Sequence, residues 1–170
     1  LAQGLAAFDS NLGQWMQRRQ AEQDKEDAIR GEAAFNRNNQ LGWAEGVASG
    51  AIPAHSSPIF MEAYKAAQGS HMGVRLREQF NIEYANWEGR NSEDPEAFQT
   101  FLSDFISRHI TTNDPDILAG LNPHVQALTD SAYTTYSTDR ANTIYTNHVA
   151  TQAALVGDLI DVASVQGINL

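Results

Sequence analysis

From Ser57 to Trp87 the chain runs about thirty residues with no proline after Pro58, and this stretch limits the possible folds more than any other. Ser57 is a good N-cap, and Pro58 sits at the first helical position, where its missing N–H leaves nothing unpaired. In heptad steps Ile59, Ala63, Ala66, Ser70, Gly73, Phe80, Tyr84 and Trp87 share one face, and only Arg77 breaks the row. The face is bulky at both ends and small in the middle, where Ala63, Ala66, Gly69, Ser70 and Gly73 cluster. Small residues let a second backbone approach closely. Each glycine otherwise weakens a helix by about 1 kcal/mol against alanine. The pattern predicts a central helix crossed closely near Gly69 and Gly73 and anchored in the core by Phe80, Tyr84 and Trp87.

The remainder also reads as helix. Leu1, Leu5, Phe8, Leu12 and Trp15 recur at steps of four and three, the seam of a helix that packs along a partner. After Trp15 the seam fades into the charged run QRRQAEQDKEDAIRGE, with Arg18–Glu22 and Glu26–Arg30 at i,i+4. Residues 1–38 are therefore expected to form a long N-terminal helical arm, either solvated or packed on a neighbouring subunit. Residues 39–170 are expected to form a helical core domain. Within it, 41–49 predicts a short helix stopped by Gly50.

Three Asx-Pro pairs follow, each an N-cap residue before proline: Asp94-Pro95, Asp114-Pro115 and Asn122-Pro123. The first opens a helix to about Ile110 with Phe98, Leu102, Phe105 and Ile106 inward. The second opens little more than one turn, ended by Gly120. The third opens a last helix from Pro123 to about Ala163. That helix is rich in Thr, Ser, Asn and Ala and nearly uncharged. Such residues are poor helix formers, so it needs packing on more than one side to persist. Alternating, β-branched strand patterns are absent. The reading is all-α, with long terminal helices around a central one.

A net charge of −10 argues against a surface built to hold phosphates. Between residues 91 and 130 Glu93, Asp94, Glu96, Asp104, Asp114, Asp116 and Asp130 face Arg108 alone. There is no cysteine, which excludes disulfides and thiolate metal sites. The longest uncharged run, 141–157, is too short and polar to span a bilayer, and the N-terminus has no signal-peptide pattern. The start at Leu1 suggests a fragment of a longer polypeptide.

No chemistry converges. His55, His71, His109, His124 and His148 are scattered without ligand spacing, and Asp114-x-Asp116 lacks the rest of a calcium-loop series. No GxSxG, P-loop or GxGxxG occurs. Glu62, Glu78 and Glu83 lie on the central helix without a flanking catalytic motif. The residues point to neither an enzyme nor a cofactor or metal.

One ordered set of segments is familiar: Gly-Ala-Ile-Pro (50–53), Ser-Pro-Ile-Phe-Met-Glu-Ala-Tyr-Lys (57–65), Gly69, Val-Arg-Leu-Arg-Glu-Gln-Phe (74–80), Asp-Pro-Glu-Ala-Phe (94–98), Phe-Leu-Ser-Asp-Phe (101–105) and Gly-Leu-Asn-Pro (120–123). Over roughly residues 40–145 this order resembles the helical region of internal virion proteins of short-tailed podophages. The matching positions are helix caps and packing sites, not catalytic signatures. The resemblance implies a structural component of the capsid inner core, beside the portal and other core proteins. It further implies homo-oligomeric reassembly into a ring or tube through the host envelope and periplasm, with the genome DNA passing without specific binding. An acidic wall would suit that passage, since each phosphate contact retards it.

The expected subunit-interface residues are Leu5, Phe8, Leu12 and Trp15 on the arm and Tyr133, Tyr136 and Ile144 on the last helix. The alternatives are a peptidoglycan-hydrolase-associated fragment of the same machine and a non-viral α-helical adaptor domain.

Overall fold

The computed structural model describes residues 2–38, 41–92 and 94–165, and the side chains of 13–38, 41–92 and 94–162. Among these residues every regular element is helical: α1 (Ala2–Arg37), α2 (Trp43–Ala48), α3 (Pro58–Asn86), a 3-10 turn (Glu88–Asn91), α4 (Pro95–His109) and α5 (Pro115–Val165). The protein is all-α, with a central helix of 29 residues. It divides into two compact units, Leu1–Arg77 with Thr112–Val125 and Glu78–Thr111 with Gln126–Leu170. The division falls within α3 and α5, and α1 belongs to the first unit.

In the first unit α3 starts where Ser57 places its hydroxyl. Ser57 Oγ accepts from the Phe60 N–H (3.2 Å) and donates to Asp27 Oδ2 of α1 (2.6 Å). One side chain thus caps α3 and ties it to α1. Arg30 pairs with Asp27 (3.3 Å) rather than with Glu26, on the carboxylate oxygen that Ser57 leaves open. Farther along α1, Gly31 lies against the Phe60 carbonyl and Phe35 is buried edge-on to Tyr64 at 5.4 Å. Trp43 of α2 meets the same ring at 5.4 Å, and the Tyr64 hydroxyl donates to the Leu41 carbonyl (2.9 Å). Gly50, at φ +73°, takes the left-handed conformation that ends α2.

The small-residue stripe of α3 meets the start of α5 in the same unit. A Cβ on Gly69 would strike the Ile117 carbonyl, and a Cβ on Gly120 would strike the Ala66 carbonyl. Ala66-x-x-Gly69 and Ile117-x-x-Gly120 therefore approach backbone to backbone. Gly73 faces the ring of His124, whose Nε2 is 2.9 Å from Ser70 Oγ. Asp114 caps α5 by accepting from the N–H groups of Asp116 (3.0 Å) and Ile117 (3.4 Å), and its other oxygen takes Lys65 Nζ at 2.7 Å.

This packing corrects the expectation of two successive helices. Gly120 is a crossing point and not a stop, and Asn122 and Pro123 lie inside one helix that runs on to Val165. Proline at that position forfeits the bond to the Ala119 carbonyl, a cost of about 3 kcal/mol in a lone helix. Burial of Leu121 just before it and Leu128 just after it holds the helical path.

The second unit is an aromatic core. Phe98, Leu102 and Phe105 of α4 are buried, and Ile106 is half-buried beside them. Phe98 lies flat on Tyr136, with centroids 4.4 Å apart and planes within 4°. Phe80 stacks on Tyr84 (5.6 Å) and meets Phe105 edge-on (5.2 Å). Trp87, just past the end of α3, is half-buried and stacks on Phe101 at 4.6 Å. Asp94 caps α4 through the Glu96 N–H (2.9 Å), as the Asp-Pro pair predicts.

Candidate interaction surface

The residues singled out from sequence have different fates. Gly69, Gly73, Phe80 and Tyr84 are buried, Trp87 partly so. The side chains of Leu5, Phe8 and Leu12 lie outside the described residues. Trp15 is 54% exposed, with the Arg19 guanidinium over its ring at 5.2 Å. Tyr133 sets an edge against Phe98 (5.1 Å) but keeps 41% of its surface open. Tyr136 must be withdrawn from the interface set. It is only 3% exposed, stacks on Phe98, and donates its hydroxyl between the carbonyls of Ser92 (3.1 Å) and Asp94 (2.9 Å). Four residues along the helix from the buried Ala132, it lies on the core face.

The acidic segment also changes meaning. Asp114 and Asp116 are paired with Lys65, and Asp94 and Asp114 are helix caps. Three of its seven acids thus serve the fold, so it is not a continuous free wall. The hydrogen bond from Lys65 holds Asp114 below the ordinary carboxylate range and Lys65 above the ordinary amine range.

Two polar clusters remain. Burial would raise Glu83, but hydrogen bonds from Gln79, His109 (2.7 Å) and Arg108 (2.9 Å) prevail and hold it low. This clasp ties α3 to the end of α4. A shallow groove is lined by Arg90, Asn91, Asp139, Asn142, Thr143 and Thr146. Its Asp139 accepts the Tyr84 hydroxyl at 2.9 Å, and burial together with that carboxylate pushes the Tyr84 phenol far above its usual range. The hydroxyls of Thr143 and Thr146 donate to carbonyls one turn back. Among the described residues no group of three His, Asp or Glu is placed to hold a metal ion.

The end of α5 presents an open apolar face. From Ile144 onward every described side chain of α5 is exposed. Tyr145 (71%), Leu159 (67%), Leu155 (58%) and Val156 (55%) are the most open of its large apolar residues. Tyr145 and Val156 escaped the reading from sequence. Their signal was the four-three spacing that runs through Tyr145, Val149, Gln152, Val156 and Leu159, which the Thr and Asn between them obscure. No helix among the described residues is long and apolar enough to cross a membrane.

No protein-family profile matches this chain, and neither curated proteins nor solved structures include a significant match.

Proposed function

We propose that the chain is a structural domain of a podophage internal core protein, a subunit of a homo-oligomeric ring or tube through which the genome leaves the particle. The observation that carries the reading is the open apolar length of α5 beyond Thr143. A helix rich in Thr and Asn, with Gly157 in its interior, is marginal without packing. A neighbouring subunit supplies that packing. The order of segments that resembles internal virion proteins suggests the assembly, and the net charge of −10 suits a protein that DNA passes without binding.

In this reading the first unit's glycine crossing and the second unit's aromatic core are scaffolds that hold α5. The chain's work is assembly, not catalysis. The test is mass spectrometry of purified virions before and after ejection. The protein is expected inside intact particles and missing from emptied ones. Its absence from intact particles, or its retention after ejection, overturns the assignment.

A further inference from the structure

We infer that the seam Tyr145–Val149–Gln152–Val156–Leu159 pairs with the same seam of a second copy. The inference deepens the oligomeric reading above and rests on it: the seam joins copies two by two, and a ring or tube needs a further contact between pairs. Steps of four, three, four and three are the heptad spacing of helices that wind on one another. Ile144, Leu155 and Val162 flank the seam. At about 100° per residue, these seven apolar residues fall within roughly 140° of the helix circumference, with Ile160 at the edge of that arc and His148 inside it. Thr146, Asn147, Ala154, Asp158 and Asp161 lie on the other side.

Area and charge choose the occupant. At the observed exposures the seven apolar residues leave roughly 700 Å² open on each copy, the most that pairing could bury, against the ~800 Å² per partner of a standard stable interface. The only charges between residues 141 and 162 are Asp158 and Asp161, both off the seam. A membrane-surface helix would carry Lys or Arg on its polar side, and this one carries none. A partner of complementary charge finds nothing on the seam to match. The heptad spacing itself is what a second copy reproduces. Gln152 is the seam's polar member; its amide nitrogen lies 3.3 Å from His148 Nε2 one turn back, and its carboxamide oxygen is left to accept from the carboxamide of a facing copy, as polar seam residues do in fixing register.

The test uses the intact 170-residue chain. Leu159→Glu is expected to weaken self-association at least tenfold, while Ala154→Glu, on the opposite side, leaves it unchanged; circular dichroism checks that both fold. Because the chain has no cysteine, Gln152→Cys adds a thiol that links only copies. At the seam's midpoint it meets its counterpart whichever way the helices run. Covalent pairs are expected on mild oxidation, and far fewer from Ala154→Cys. If the chain assembles but Leu159→Glu assembles equally well, or Gln152→Cys links no faster than Ala154→Cys, the seam is overturned and the oligomeric reading stands. If the seam links but the mass stops at two copies, the seam stands and the ring or tube falls. A monomer that floats with phosphatidylcholine vesicles overturns the seam in favour of lipid.

Discussion

The carbonyl of Ala66 in α3 occupies the space that a side chain on Gly120 in α5 would need. Gly69 stands in the same relation to the Ile117 carbonyl. Because the obstructing atoms are backbone, no rotamer change relieves them. Gly120→Ala is expected to lose about 1–3 kcal/mol by overpacking, despite alanine's better helix propensity. Gly157→Ala meets nothing within 4 Å and is expected to gain up to about 1 kcal/mol. Urea unfolding of the two variants checks the contrast, and equal stabilities would refute the crossing.

Gly73 faces a side chain rather than backbone, the ring of His124. Gly73→Leu must displace that ring and break its bond to Ser70. A loss of roughly 1–3 kcal/mol is expected. Full stability combined with lost assembly would place Gly73 on a contact surface instead.

Tyr136→Phe separates core from interface. It removes a hydroxyl that serves two carbonyls, so a loss of about 1 kcal/mol is expected. Since the ring remains on Phe98, self-association should be unaltered. A stable variant with a smaller assembled mass would return Tyr136 to the interface.

Stability should form a plateau in pH with a fall on each side. Asp114 and Glu83 are held below their ordinary values of 3.8 and 4.5. Their contribution is complete above those values and drains as pH falls through the depressed folded ones. Lys65, Tyr64 and Tyr84 are raised above ordinary values of 10.5, 10.0 and 10.0, so theirs is complete below about 10 and drains as pH rises further. Asp114→Asn should make the acid fall shallower, read from unfolding midpoints across pH. An acid limb identical to the parent's would show that the Lys65 pair contributes nothing.

Local chemistry was legible where one residue decides the outcome. Ser57 and Asp94 start their helices because side-chain oxygen and proline act over three residues. The small stripe of α3 was legible as a crossing because only a second backbone explains glycines in a helix. Pro123 was misleading. Local preference marks it as a start, and burial of Leu121 and Leu128 on either side overrides that preference. Tyr136 was misread for a related reason. A tyrosine in a polar helix looks like surface until the Ser92 and Asp94 carbonyls, more than forty residues earlier, are found at its hydroxyl. The seam of α5 was present in the spacing, but only the exposure of the described side chains from Ile144 onward gives it meaning.

The central claim is that this chain exists to assemble. Sedimentation of the intact protein across a wide concentration range tests that most directly. The account predicts a mass that rises to a fixed multiple, greater than two, of the 18.7 kDa chain. A mass of one chain at every concentration would contradict it.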